Sequence, residues 1–381
     1  MKKKNCMILL ALCWLMIAGT RIYTLAAGGP KLYLTVRVDT NAQPNLAAAV
    51  SLWQAYLSSR PDSVKENPLW KELDRNERFS FDPARIWIFQ SQEMMNTYHP
   101  VLLSAEPDAN GLFLLRTLFT APSDSVMPAH PLAVYRVYAQ KSDSGLFLRS
   151  ALSVLTQNWE TRKMSGLTFV FPPEHKYSSA LARRAARFCD SLTALFDLPD
   201  VHDARMYIVR SRDELARILG FDYYLAPPYG LTYPERDIII SSFDSEWHPH
   251  ELAHLVFRPF ARTHKLLLEG IATWCGGSLG ESYEMLLLQM EKRVAEKPFT
   301  LQYVLENERD ESLAFYTCGA IFCHMAFREK GGSGVKSLLS LAAEKGLEFA
   351  LEKVLNLKPA DYDTYLHNKI KMLAATFKKS E

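Results

Sequence analysis

The run Trp247-His248-Pro249-His250-Glu251-Leu252-Ala253-His254 places two histidines four residues apart, with a glutamate directly after the first. On a helix, residues four apart stand on one face with Cβ atoms about 5–6 Å apart, so both imidazoles can meet at one ion. Zinc suits that reach, since it binds imidazole nitrogen at about 2.0–2.1 Å. Glu251 stands beside the first ligand and reaches past the ion to a water, the place of a general base rather than a ligand. Pro249 fits a first helical turn, where its missing N–H is not needed. Leu252, Leu255 and Val256 supply the buried side that holds the helix.

Such a pair needs a third ligand. Leu266-Leu267-Leu268-Glu269-Gly270-Ile271-Ala272 begins a second helix, and Glu269 follows His254 by fifteen residues, enough for a turn and an antiparallel return. Gly270 and Ala272 are small, so this helix is expected to approach the first closely and bring Glu269 to the ion. Three protein ligands leave one position open, the arrangement of a catalytic rather than a structural zinc site.

The surrounding chain has to supply those helices and hold them. Residues 31–39 alternate apolar and polar and read as a strand. Residues 45–59 carry Leu46, Val50, Trp53 and Leu57 at helical spacing, with Pro61 beyond the end. Residues 79–99 are ambiguous. From 112 to 171 the sequence turns β-rich, with strands expected over 112–121, 132–140, 146–157 and 167–171, and Ser142-Asp143-Ser144-Gly145 marks a hairpin. This part is similar to the cone-shaped nuclear-transport-factor-2-like domains. Pro172-Pro173 is the expected domain boundary. A helix over 177–196, a strand over 204–209, a helix over 212–219 and the β-branched run Ile238-Ile239-Ile240 follow. The rest reads as helix: around His250, then 266–274, 283–295, 312–329, 335–345 and 362–377. Gly276, Gly277 and Gly280 cap and loop out the Glu269 helix. The aromatic cluster Phe221, Tyr223, Tyr224, Tyr229 and Tyr233 is core or cleft wall; spacing does not choose.

The pair His-Glu-x-x-His and Glu-Gly-x-Ala resembles the gluzincins, the peptidase MA superfamily that includes thermolysin-like and aminopeptidase-N-like enzymes. The resemblance covers roughly residues 177–377. It implies zinc (Zn2+) held by His250, His254 and Glu269, with Glu251 as general base. It also implies that the strand before the metal helix, residues 237–242, lines a substrate cleft. Gluzincins often place a tyrosine or histidine to stabilise the oxyanion of the tetrahedral intermediate. Here Tyr316 is the candidate, the alternative being a packed aromatic. The Gly-x-Met-Glu-Asn motif of the aminopeptidase branch is absent, so aminopeptidase activity is not implied. The metzincin pattern of a third histidine soon after the pair is also absent, although His264 sits nearby. His248 lies before the helix proper, and His324 reads as a core or surface histidine. Cys318, Cys323 and His324 lack a fourth partner for a second metal cluster.

Apolar residues make up 48% and charged residues 23% of the 381, the composition of a globular chain long enough for more than one domain. The net charge of +2, with no dense basic stripe beyond the first residues, argues against a nucleic-acid partner. Lys2-Lys3-Lys4, an apolar run over 6–19 and Ala26-Ala27-Gly28-Gly29 read as a secretory signal peptide. An uncleaved anchor is the alternative, and a membrane partner is expected only in that case. Export to the periplasm, cell surface or medium permits disulfides. Cys189, Cys275, Cys318 and Cys323 sit in apolar, helical stretches as buried thiols or, alternatively, with a Cys275–Cys318 bridge.

The expectation is an α+β chain: a signal over 1–27, an N-terminal antiparallel-sheet domain over 28–172, and a mostly helical gluzincin-like zinc domain with a small sheet over 173–381. Its chemistry would be hydrolysis of a peptide or protein substrate. The alternatives are a catalytically silent zinc-binding or recognition protein of the same fold, and a zinc hydrolase of non-peptide substrates.

Overall fold

The structure is a computed structural model that describes residues 31–41, 44–58, 69–70, 98–108, 111–121, 130–143, 145–224 and 227–378. The expected signal segment lies outside them. The first half of the chain gives β1 (Tyr33–Leu34), α1 (Pro44–Leu57), β2 (His99–Pro107), β3 (Leu112–Ala121), β4 (His130–Ser142), β5 (Gly145–Arg149) and α2 (Ala151–Leu155). Then come β6 (Glu160–Met164), β7 (Leu167–Phe171), α3 (Ser179–Phe196), β8 (Ala204–Ile208), α4 (Arg212–Ile218), β9 (Phe221–Tyr224), β10 (Gly230–Tyr233) and β11 (Ile238–Ser241). Helices close the chain: α5 (Pro249–Val256), α6 (Lys265–Gly276), α7 (Tyr283–Glu296), α8 (Leu301–Glu306), α9 (Ser312–Lys345), α10 (Leu347–Leu355) and α11 (Tyr362–Phe377). The class is α+β, an N-terminal sheet region followed by a mostly helical one.

The first sheet runs β1-β2-β3-β4-β5, antiparallel except for the β1–β2 pair, and β9 also pairs with β4. The second runs β10-β11-β8-β7-β6, with β11, β8 and β7 mutually parallel and both outer strands antiparallel. Side-chain alternation makes the second sheet a middle layer. Phe169, Phe171, Met206, Ile208 and Ile239 face the helices. Val170, Tyr207, Val209, Ile238 and Ile240 face the first sheet and share a core with Trp53, Leu115 and Tyr135. A strand covered on both faces has no polar side to show, which is why residues 238–240 read as three isoleucines in succession.

Several elements depart from the expectations. The strand expected over 31–39 is confined to Tyr33–Leu34, because the chain turns back at once, Val38 donating to the carbonyl of Thr35. The strand expected over 146–157 stops at Arg149, where Ser150 accepts from the Ser153 amide and caps α2. The β6–β7 hairpin pairs in the second sheet although it precedes Pro172-Pro173, and β9 returns to the first sheet after it. Helices expected separately over 312–329 and 335–345 form α9, with the break preserved as a kink at Lys330 and Gly331. The aromatic cluster divides: Phe221 is buried against Tyr135 in the first core, while Tyr229 is 57% exposed beside Phe243. Cys189, Cys275, Cys318 and Cys323 are free thiols. None of the described helices is long and apolar enough to cross a membrane.

Candidate metal centre

α5 is eight residues long, held by its entry and by its buried side. His248 is its N-cap residue and Pro249 opens it. Leu252, Leu255 and Val256 are fully buried in the helical core. Upstream, Glu246 is buried and accepts from His175 Nε2 and from the Ser178 amide, both at 2.9 Å, while Arg184 lies over the Trp247 ring at 4.1 Å. The segment entering α5 is therefore tied to the chain ahead of α3.

α6 brings Glu269 across. Its close approaches differ from those the small residues implied. Gly270 faces α9, where a Cβ would stand 2.1 Å from the carbonyl carbon of Gly319. Gly319 in turn has no room for a Cβ against the Leu266 carbonyl. The residue that abuts α5 is Gly276, whose Cβ would lie 2.6 Å from the His250 amide nitrogen. Glycine at these two crossings lets α6 lie against α9 on one side and the start of α5 on the other.

The ligand atoms form a triangle. Nε2 of His250 lies 3.2 Å from Nε2 of His254 and 3.2 Å from Oε2 of Glu269, and His254 Nε2 lies 3.4 Å from the same carboxylate oxygen. Atoms about 2.0–2.1 Å from a tetrahedral ion stand roughly 3.3–3.4 Å apart, so this triangle has the size of one face of a zinc tetrahedron. Among the described residues, no other three His, Cys, Asp or Glu side chains converge in this way. His250 Nδ1 lies 2.7 Å from the Gly277 carbonyl. A carbonyl only accepts, so Nδ1 carries the proton and Nε2 presents its lone pair to the centre, the orienting contact a metal-bound imidazole needs. His254 Nδ1 is buried without a partner among the described residues.

The charges are coupled. Burial favours a neutral His250, but without a metal the hydrogen bond that a protonated Nε2 donates to Glu269, and the charges of Glu251 and Glu269, outweigh that and raise its pKa. Burial opposes ionisation of Glu269, yet the imidazoles of His254 and His250 hold it well below the usual carboxylate range. Burial dominates at His248 and lowers its pKa to about 4, so this ring is neutral. It sits with Nδ1 2.9 Å from Ser241 Oγ.

Glu251 stands outside the triangle. It is buried, and Thr232 Oγ1 donates to its Oε2 at 2.6 Å. The side chain that reaches Glu251 thus comes from β10, at the sheet edge. β11, expected to line the cleft, lies between β10 and β8, with Ser241 against His248. Tyr316, on α9, sets its ring edge-on to His250 with centroids 6.0 Å apart. Burial and the charges of Glu269 and Glu251 push its phenol up, so the hydroxyl keeps its proton. His264 caps α6 by accepting from the Leu266 amide, and His324 stacks on Trp274, so neither joins the centre. Sequence reasoning missed Thr232, Gly230, the Gly277 carbonyl and the His175–Asp244–Glu246 group. Gly277 carried a partial signal, because a glycine expected to end the Glu269 helix leaves its carbonyl beside the neighbouring helix.

No family model matches the chain, and no curated protein matches it. Among solved structures it is similar to the M1 zinc metallopeptidase from Deinococcus radiodurans, at 15% identity and a TM-score of 0.34, over 73% of this chain and 64% of that one. It is also similar to a mutant of the M1 zinc metallopeptidase from Deinococcus radiodurans bound to a Tyr-Ser-Ala substrate, at 15% identity and a TM-score of 0.32, over 72% and 65%. The chain spans 64–65% of the length of these structures.

Proposed function

We propose that the chain is a zinc-dependent hydrolase of peptide bonds. His250, His254 and Glu269 would hold the ion, Glu251 would be the base, and the Tyr316 hydroxyl would donate to the developing oxyanion. The observation that carries this reading is the ligand triangle with the dimensions of a zinc tetrahedron's face, with a buried glutamate of the same helix left outside it. Zinc, when bound, polarises a carbonyl and acidifies a water. The chain's own groups do the rest. Glu251 takes the proton from the attacking water and passes it to the leaving amine. A neutral Tyr316 offers a hydrogen bond where negative charge gathers. The outer side of β10 pairs with no strand among the described residues, which supports an extended peptide as substrate, since such a chain can add to a free edge by main-chain hydrogen bonds.

Glu251→Gln tests the base. Glutamine keeps the size and accepts the Thr232 hydroxyl, but it cannot hold a proton near neutral pH. Zinc content and thermal midpoint should stay as in the wild type, while cleavage of a mixed peptide library should fall about 10²-fold or more. Equal cleavage by both forms would remove Glu251 from the mechanism. A zinc-loaded wild type that cleaves nothing would leave a zinc-binding protein without this activity.

A further inference from the structure

The two oxygens of Glu251 are not equivalent. Oε2 takes the Thr232 hydroxyl at 2.6 Å, and the same hydroxyl lies 3.0 Å from the Glu251 main-chain carbonyl. One side chain of the edge strand therefore spans both the carboxylate and the backbone that bears it. None of the described residues donates a hydrogen bond to Oε1. Gly230, two residues before Thr232 and so on the same face of β10, lies over that oxygen. A Cβ at 230 would stand 2.7 Å from Oε1, 2.8 Å from Cγ of Glu251 and 2.3 Å from Cε1 of His248. His248 is held from behind by Ser241 on β11. The glycine is thus a gap with fixed walls, and the threonine an anchor at its side.

We propose that Thr232 is the positioning residue of the base. It holds Oε2 so that Oε1 is the oxygen that works, in a space that the missing side chain of Gly230 keeps open. The inference rests on the hydrolase reading and deepens it. As the water oxygen bonds to the scissile carbon, its proton passes to Oε1. The C–N bond then breaks, and that proton goes to the departing amine nitrogen. Thr232 keeps its own proton throughout and acts only through Glu251. A carboxylate free to rotate would spend its time in geometries that cannot make this transfer, and a misplacement of about 1 Å is enough to cost roughly 10²-fold.

The experiment uses the zinc-loaded full chain and a fluorogenic peptide that the wild type cleaves. Thr232→Val removes the hydroxyl at nearly constant shape. It should lower kcat about 10- to 100-fold with KM within about twofold, because an interaction made by the base alone does not bind substrate. Zinc content should match the wild type, and the thermal midpoint should fall by no more than the few degrees that one lost hydrogen bond costs. Thr232→Ser restores the donor and should bring kcat back to within about threefold, the margin left by a more mobile hydroxyl. Gly230→Ala, which crowds Oε1 without touching the donor, should also lower kcat while zinc is kept. A Thr232→Val enzyme with wild-type kcat overturns the inference alone. So does a loss that serine fails to rescue or that tracks loss of zinc, since packing would then explain it. A zinc-loaded wild type that hydrolyses no peptide overturns the hydrolase reading and this inference with it.

Discussion

His175 lies between Asp244 and Glu246 in much the same company as His250 and His254 keep with Glu269, yet the two clusters are built for different ends. At His175 both ring nitrogens are engaged, Nδ1 with Asp244 at 2.7 Å and Nε2 with Glu246 at 2.9 Å. Burial opposes its charge, but the hydrogen bonds to Glu246 and Asp244 outweigh it and raise its pKa. The protonated ring donates twice, and no lone pair is left for an ion. At the other cluster each imidazole turns one nitrogen inward, and three ligand atoms face one another at 3.2 to 3.4 Å. The difference is one of direction rather than composition. Carboxylates on opposite sides of one ring make a clamp, which here ties the entry of α5 to the chain before α3. Nitrogens and an oxygen aimed at one point make a cation site.

The sharpest way to break the comparison is to delete one histidine from each cluster. His254→Ala should bring zinc from about one ion per chain to near none by elemental analysis, because two remaining ligands hold the ion poorly against water. His175→Ala should keep the zinc. Full metal in the first variant, or its loss in the second, would show that the clusters have been assigned the wrong way round.

Acidity offers a second, smaller contrast. In the metal-free protein the raised His250 contributes stability that is full below its unfolded pKa of 6.5 and is lost as pH rises through the higher folded value. The depressed Glu269 contributes above its ordinary 4.5 and loses that contribution as pH falls through its folded value. Zinc requires both imidazoles unprotonated at the liganding nitrogen, so its stabilisation grows as pH rises. Thermal midpoints measured with zinc and with chelator should therefore diverge from about pH 6 to about pH 8.5. A gap that stays constant or narrows over that range would contradict proton–metal competition at this centre.

The smallest effect concerns the clamp. Glu246→Gln exchanges a charged acceptor for a neutral one and should destabilise the chain by about 1–3 kcal/mol at pH 6, read by denaturant titration of the zinc-loaded protein. The clamp's share is present while His175 is protonated and is lost as pH rises through its raised folded pKa. The difference between variant and wild type should shrink at alkaline pH, with zinc content unchanged throughout. A pH-independent difference would mean that Glu246 acts by shape and not by charge.

Much of this architecture is written in local spacing. The four-residue interval puts His250 and His254 on one face wherever α5 forms, because helical periodicity needs no distant partner. The β-rich stretch 112–121 reads as the strand it forms, and the separate helical patterns over 312–329 and 335–345 foretell the break in α9. What lay beyond reach depends on pairings between residues far apart in the chain. Small residues announce a close approach without naming the neighbour, so Gly270 meets Gly319 while Gly276 meets α5. A run of isoleucines announces burial on both faces but does not say which strand lies at the sheet edge; only strand order shows that β10 stands there, with Thr232 on the base. His175 and Glu246 are seventy-one residues apart, and nothing local marks them as partners. Periodicity within one element decides which side chains share a face. The direction in which that face points, and what meets it, is decided by packing between elements, where an approach of a few tenths of an ångström selects one neighbour over another.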